Sequence, residues 1–466
     1  MREKKRCIAQ FTFYDRTGIQ AYLEKMAAKG WMLEKVNNFY WQFRRIEPKE
    51  MHFAVTYFPK ASEFDPEPGE DQKYFYAFCE QAGWKFIAQT AQLQIFYNEA
   101  ENPVPIETDA CVELENINRS AKGNFLIAQS VLALCALLQL GLVVADFNRD
   151  PLYVLGSNAK LFGLICWTAV LIMCMTEVVG YFLWYRKAKK AAETDGSFVK
   201  TWGSRKFQLG MLTVVLAVFV LHLFSMREKI YIFATAIGFC WVALLMVSVN
   251  LIKYGMKRLK CDKTVTKAVT FASSFILSFG LMGIMTVVIF RAVDTGWFEK
   301  EPVTTYEYNG HQFKIYHDEL PLTVEDMMDA ESDRYSYEMR VEDSWLLTHY
   351  EAYQNVRMNA ELPEMRYDIF IPKLPGLYDF CLENIMEDFL EEDPSGEFGY
   401  CFMDSDASLW GAEKVYQYQM DRREMDRYLV CYEDYIVRIT FYWTPEEEQL
   451  RTAGEKFTDF KDWASK

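Results

Sequence analysis

Phe125–Ala145 reads FLIAQSVLALCALLQLGLVVA, without a single charged side chain. An apolar run of about 20 residues is long enough to cross a hydrocarbon core of ~30 Å as a helix. Four more runs of this kind follow, at Leu161–Tyr185, Phe207–Met226, Ile230–Ile252 and Ala268–Phe290. Together they predict a five-span α-helical transmembrane bundle flanked by two α+β soluble domains. The expected division is 1–122, 123–292 and 293–466.

Charge supports this division. Residues 1–122 carry a net −2, residues 123–290 carry +10 and residues 291–466 carry −23. The mean hydropathy of −0.11 averages a greasy middle with polar ends. The acidic carboxyl third repels phosphate, so direct nucleic-acid binding is not expected. Residues 1–30 hold no apolar run of signal-peptide type, because Ile8–Tyr14 is short and Asp15 and Arg16 follow it. No cleaved signal is therefore expected.

Lysine and arginine cluster in alternate loops. The loop after the second run holds Arg186, Lys187, Lys189, Lys190, Lys200, Arg205 and Lys206. The loop after the fourth holds Lys253, Lys257, Arg258, Lys260, Lys263 and Lys267. The loop after the first has only Arg149 and Lys160, with Asp146 and Asp150. The positive-inside rule then places the amino terminus in the cytoplasm of a multi-pass cell-membrane protein. Five crossings place the carboxyl terminus outside. Trp184, Tyr185, Trp202, Tyr254 and Trp297 fall near run ends, where interfacial aromatics belong.

The first domain repeats a β-α-β-β pattern. Ile8–Phe13 alternates as a strand, and Gly18–Lys29 has helical spacing that Gly30 ends. Trp31–Val36 and Phe39–Ile46 form a hairpin about Asn37-Asn38. Met51–Phe58, a helix over Glu70–Gln81 ended by Gly83, and strands Trp84–Gln89 and Leu93–Tyr97 repeat the order. Two such units side by side predict one duplicated sheet backed by two helices. Trp31, Tyr40, Trp41, Trp84 and Phe96 are candidates to line an aromatic ligand groove on it. The competing reading makes them core, since aromatics bury large areas.

The run Phe13-Tyr14-Asp15, the helix end Lys29-Gly30-Trp31, the strand Phe39–Phe43, then Ala82-Gly83-Trp84 and Ile95-Phe96 resemble the bacterial domain-of-unknown-function family numbered 2812. The resemblance covers about residues 8–100. It implies a cytoplasmic domain joined to membrane helices in Gram-positive bacteria, in a regulatory setting often encoded beside PadR-type transcription regulators. It implies no catalytic residue.

Glu177 is the one acid inside an apolar run. Intramembrane carboxylates are costly and often functional. Glu177 carries two readings: a transport or signalling residue, or a helix–helix hydrogen bond. Ser274, Ser278 and Gly283 give the fifth run a small face suited to close packing.

In the last domain, Asn309-Gly310 between Tyr306–Tyr308 and Gln312–Tyr316 signals a hairpin. A helix is expected in Pro375–Glu391, and a second hairpin about Glu433-Asp434. Thr444-Pro445 with Glu447 reads as the capping box of a last helix. Cys381, Cys401 and Cys431 are three, so at most one disulfide forms among them. Glu391, Glu392, Asp393 and Glu397 make an acidic loop. Asp404, Asp406 and Ser408 start like a calcium loop, but Leu409 and Val415 replace the required Gly and Glu. His311, His317 and His349 are scattered. No zinc spacing, nucleophile elbow, Walker A or dinucleotide motif occurs. Neither metal nor cofactor is expected. The sequence favours a non-enzymatic membrane sensor or signal transducer, coupled through the resemblance to a PadR-type regulator. The alternative is an accessory subunit of a transport or export system.

Overall fold

The computed structural model describes residues 3–8, 11–36, 40–201, 205–225, 229–298, 300–356, 362–390, 401–420 and 423–464. The chain divides into two compact units, Met1–Gly141 with Ile165–Trp297, and Leu142–Leu164 with Phe298–Lys466.

The first unit opens with β1 (Lys4–Cys7), α1 (Arg16–Ala28), β2 (Trp31–Val36) and β3 (Trp41–Arg45). β4 (His52–Tyr57), α2 (Glu70–Gln81), β5 (Lys85–Thr90) and β6 (Leu93–Asn98) follow. The strand expected at Ile8–Phe13 is instead Lys4–Cys7. The chain then leaves the sheet because Asp15 caps α1, accepting from the Gly18 N–H at 3.0 Å. Phe13 meanwhile stacks on Phe125 at 5.4 Å between ring centres. The expected single sheet is two three-stranded antiparallel sheets, ordered β1-β3-β2 and β4-β6-β5. Each pattern unit closes its own sheet, and no hydrogen-bonded pairing between described strands joins the two. Both carry a register shift two residues after the Gly-Trp pair, between Leu33 and Lys35 and between Phe86 and Ala88. Gly30 (φ +78°) and Gly83 (φ +83°) end the two helices in the left-handed region. There a side chain other than glycine's is strained. The turn at Asn37-Asn38 lies outside the described residues.

Among the described residues, five helices are long and apolar enough to cross a membrane. The first comprises α3 (Ala110–Ser120), a π-helical turn (Ala121–Phe125) and α4 (Leu126–Arg149), continuous over Ala110–Arg149. It begins inside the first core, where Leu114, Ile117 and Ala121 are buried, so residue 122 falls within a helix. The short α5 (Pro151–Gly156) precedes α6 (Asn158–Asp195), α7 (Arg205–Ser225), α8 (Lys229–Arg258) and α9 (Lys263–Asp294). Even α7, at 21 residues, extends about 30 Å. Leu221, Val247, Leu251, Phe275 and Ile276 stand exposed along them. Water would penalise such contiguous apolar surface, whereas lipid does not. Trp202 and the junction Met226–Glu228 lie outside the described residues.

The second unit is built on β7 (Thr304–Tyr308), β8 (His311–Ile315), α10 (Val324–Met327), β9 (Tyr335–Asp343), β10 (Leu347–Val356), β11 (Met365–Pro372) and α11 (Tyr378–Leu390). β12 (Cys401–Asp404), β13 (Lys414–Met420), β14 (Arg423–Cys431), β15 (Ile436–Phe441), α12 (Glu447–Thr458) and α13 (Phe460–Ala464) complete it. Asn309 (φ +49°) and Gly310 (φ +77°) form the expected turn between β7 and β8. Seven strands make one antiparallel sheet, ordered β12-β13-β14-β15-β11-β10-β9. One face carries Tyr367, Ile369, Val437 and Ile439 against Leu450, Ala453 and Phe457 of α12. The other packs Leu347, Phe370, Leu429 and Ile436 against Cys381 and Ile385 of α11 and Leu152 and Leu155 of α5. The cap of α12 is Glu446 with Gln449, not Thr444 with Glu447. The Thr444 hydroxyl donates instead to Asp426, at 3.1 Å. Gln449 receives both the Glu446 N–H and the Trp443 indole. The acidic loop at Glu391, Glu392, Asp393 and Glu397 lies outside the described residues.

Candidate functional site

The five aromatic candidates do not converge on one groove. Trp41 (6% exposed), Trp84 (4%) and Phe96 (0%) are core residues, in two separate clusters. Trp31 and Tyr40 are half-buried. Trp31 is covered by cations, Arg45 at 5.1 Å and Lys5 at 5.5 Å, and Arg6 lies 4.9 Å over Tyr40. Trp84 donates its indole N–H to the Val104 carbonyl at 2.8 Å, fastening the chain segment after β6.

Glu177 is buried on α6 and accepts from the Gln208 amide of α7 at 2.6 Å. That is the helix–helix hydrogen bond of the plainer reading. One turn further along α6, Tyr14 seats its hydroxyl over Gly180, where an added Cβ would lie 2.8 Å from it. Tyr14 also packs on Tyr181 and stacks on Trp184, with ring centres 5.5 and 5.1 Å away. Burial, then the nearby carboxylates of Glu177 and Asp15, raise its phenol pKa. Spacing of three to four residues places Glu177, Gly180, Tyr181 and Trp184 on one helix face. That face receives the domain. A second attachment is electrostatic. Glu63 accepts from Lys253 at 2.6 Å, Glu67 pairs with Lys260 at 2.8 Å, and Phe64 lies 6.3 Å from Phe271.

The same unit holds a buried charge cluster that the sequence reading did not single out. Arg16, at the start of α1, forms an ion pair with Glu113 of α3, whose side chain is 3% exposed. Glu107 lies beside them. Burial, and secondly the charge of Glu113, push its carboxyl up to about 8 against opposition from Arg16 and Asn116. One carboxylate oxygen of each glutamate, Oε2, is buried without a hydrogen-bond partner. A legible signal existed. Ala110, Leu114 and Ile117 define a buried stripe, and Glu113 stands on it, three residues after Ala110. Asp15 and Thr17 of α1 also bond Thr201 in the segment after α6.

Glu107 and Arg16 line a cavity of about 380 Å³ along β4. Its walls include Gln20 and Glu24 of α1, His52 to Thr56 of β4, Trp84, and the segment from Glu101 to Glu107. Among the described strands β4 is an edge strand, paired with β6 alone.

The second unit holds a different constellation. The ligating atoms of His349, Glu351 and Asp368 lie within 4.8 Å of one another. Asp368 is already engaged on both oxygens, by His349 at 3.2 Å and by Arg438 at 2.9 Å. Burial opposes its charge, but these bonds outweigh burial and hold its carboxyl below the usual range. A metal would have to break the His349–Asp368 bond, and Arg438 already pairs with the carboxylate, so the arrangement is a His–Asp–Arg network. Asp406 caps a single turn over Ala407–Leu409 and accepts from Ser408. The calcium-like spacing thus has a structural use.

Fold and site together define an α+β domain joined to a set of long apolar helices through a buried ionic cluster. Residues 15–128 match the family described as "Protein of unknown function (DUF2812)", so this part of the chain is a domain of the family that its Gly-Trp pattern resembles. The match takes in Arg16, Glu107 and Glu113 and runs into the first apolar helix. Neither the curated proteins nor the solved structures contain a match to the chain.

Proposed function

We propose that the protein is a non-enzymatic, multi-pass membrane sensor or signal transducer. Its DUF2812 domain lies in the cytoplasm, and its acidic carboxyl-terminal domain lies outside the cell membrane. The observation that carries this reading is the continuity of two helices. Ala110–Arg149 and Asn158–Asp195 each contribute residues to both compact units. At the DUF2812 end their side chains are core residues: Leu114, Ile117 and Ala121 from one, Tyr181, Trp184 and Ala188 from the other. A hydrogen-bonded helix is stiff, so a shift at one end reaches the other. The π-helical turn Ala121–Phe125 lies where the soluble part of the first helix gives way to its apolar part. Such turns recur at functional positions in helices.

The sidedness rests on charge. The lysines that the positive-inside rule assigns to the cytoplasm, Lys253 and Lys260, are those that pair with Glu63 and Glu67 of the DUF2812 domain. The loop that the rule assigns outside supplies Asn158, which bonds the backbone of Asp343 and Trp345 in the acidic domain. The two β-α-β-β units are read as an internal duplication. Their common strand order, their equivalent register shifts and the matching core positions of Phe43 and Phe96 support this. The partner proposed for the cytoplasmic domain is a PadR-type regulator.

The test is affinity purification of the intact chain from native membranes, beside a variant lacking residues 1–109 that still inserts. The proposal expects a soluble DNA-binding regulator with the intact chain and none with the variant. Recovery of transport or export subunits with both forms overturns it in favour of an accessory role.

A further inference from the structure

With Glu107 ionised, the ionic cluster beside the β4 cavity is one positive charge short. Two buried carboxylates, Glu107 and Glu113, share a single guanidinium, Arg16, and Arg16 is committed to Glu113. The cavity next to them has the size of a small-molecule site, about 380 Å³. Its lining includes Glu24, Glu101, Glu107 and Arg16, so carboxyl groups outnumber guanidinium and ammonium groups. Thr56 also lines it, is 3% exposed, and has a hydroxyl with no hydrogen-bond partner. Buried polar groups without partners are costly and rare. Phe53, Trp84, Pro103, Pro105 and Ile106 supply apolar wall.

We propose that this cavity binds a small organic cation, a protonated amine with an apolar body, its ammonium held by Glu107 and Thr56 and its body against Phe53 and Ile106. An ammonium supplies the missing charge and three hydrogen-bond donors, and donors are what a carboxylate and a hydroxyl oxygen accept. A carboxylate ligand would add a further negative charge to the cluster. A neutral ligand would not compensate an ionised Glu107, which would then keep its proton. The inference stands apart from the transducer reading, because a domain without a signalling role could hold the same ligand.

Binding has a proton signature. Glu107 faces Arg16, Glu113 and Asn116, with the Tyr57 phenol and the Cys79 thiol of α2 also nearby. Its carboxyl is held up to about 8. At pH 7 it is therefore largely protonated, and an arriving ammonium displaces that proton.

The experiment is isothermal titration of the full chain in nanodiscs at pH 7, in two buffers of different ionisation enthalpy. The probes are n-butylamine and phenethylamine, with butanol, butyrate, magnesium chloride and a lysine-rich pentapeptide for comparison. The proposal expects saturable binding of an amine with release of up to one proton, and no comparable binding of butanol or butyrate. Glu107→Gln should weaken amine binding at least about tenfold and abolish proton release. Thr56→Val should weaken binding several-fold and keep the proton release, which provides a second variant if Glu107→Gln does not fold. Equal binding of butanol, binding of magnesium or the pentapeptide alone, amine binding without proton release, or no binding of any probe overturns the proposal.

Discussion

Both soluble regions bury carboxylates, and they treat them in opposite ways. In the acidic carboxyl-terminal domain, Asp368 is almost inaccessible yet bonded on both oxygens, by His349 and Arg438. In the DUF2812 domain, Glu107 and Glu113 each leave an oxygen without a partner and share Arg16. A satisfied buried acid contributes to a rigid sheet. An unsatisfied one costs stability, and the cost points to something that the charge awaits. Under the proposed transducer reading, the contrast favours a responsive part at the Arg16–Glu113 cluster rather than in the larger sheet.

The largest test of the contrast is deletion of each cation. Arg16→Met at pH 8 leaves two buried acids facing each other, and we expect a loss of about 3–5 kcal/mol. Arg438→Met leaves Asp368 with His349, and a smaller loss of about 1.5–3 kcal/mol is expected. Denaturant titration read by region-resolved hydrogen exchange measures both. A loss at Arg438 equal to that at Arg16 would break the contrast.

Next comes pH. The native carboxyl of Glu107 holds its proton to about 8, whereas an unfolded glutamate loses it near pH 4.3. Its stability contribution is thus fully present below pH 4.3 and is lost as pH rises towards 8, by at most about 1.4 kcal/mol per pH unit. Asp368, held below the usual range, does the reverse. Its contribution is present above pH 3.9 and is lost as pH falls through its native value. Protection read by hydrogen exchange should therefore fall between pH 5 and 8 mainly in the DUF2812 domain, and Glu107→Gln should reduce that response, with Glu113, itself raised to about 7, supplying the remainder. Equal loosening in both regions would contradict the assignment.

Smaller effects probe packing. An added Cβ at Gly454 would lie 2.5 Å from the Trp410 Cα. Gly454→Ala should displace α12 and cost about 1–3 kcal/mol in thermal unfolding. Gly30→Ala, at φ +78° and with the Ile46 carbonyl 2.8 Å from the new Cβ, should cost about 1 kcal/mol or slightly more. Neither change should alter the pH response. If either does, the two regions are less separable than the ionic contrast requires.

Long-range charge and hydropathy patterns were legible, and local chemistry less so. The five apolar helices, the helix over Glu70–Gln81, the Gly30 and Gly83 ends and the Asn309-Gly310 turn all follow from short-range rules. The seven-stranded sheet was read only in part. β9, β10 and β11 carry polar residues such as Glu338, Glu351 and Asp368 on the face that also packs Leu347 and Phe370, so the apolar alternation along these strands is broken. The strand misplaced to Ile8–Phe13 shows the limit of alternation. Phe11 and Phe13 are apolar because they pack on Tyr22 and Phe125, not because they lie in a sheet. The aromatic residues drew attention by their size, and most proved to be core. Of the functional candidates, Glu113 stood on the apolar stripe of α3 and was legible, whereas Arg16 and Glu107 are ordinary in sequence. Only the fold brings together positions so far apart along the chain.

The central claim is a cytoplasmic DUF2812 domain joined through continuous helices to an external acidic domain. Impermeant maleimide labelling of intact cells tests it most directly, using full-length variants that retain one cysteine. Cys79 and Cys431 are buried and would stay silent on either side, whereas Cys111 and Cys401 are exposed. The account predicts that Cys401 labels in intact cells and Cys111 only after permeabilisation. A Cys401 that labels only after permeabilisation, or a Cys111 that labels before it, would contradict the account.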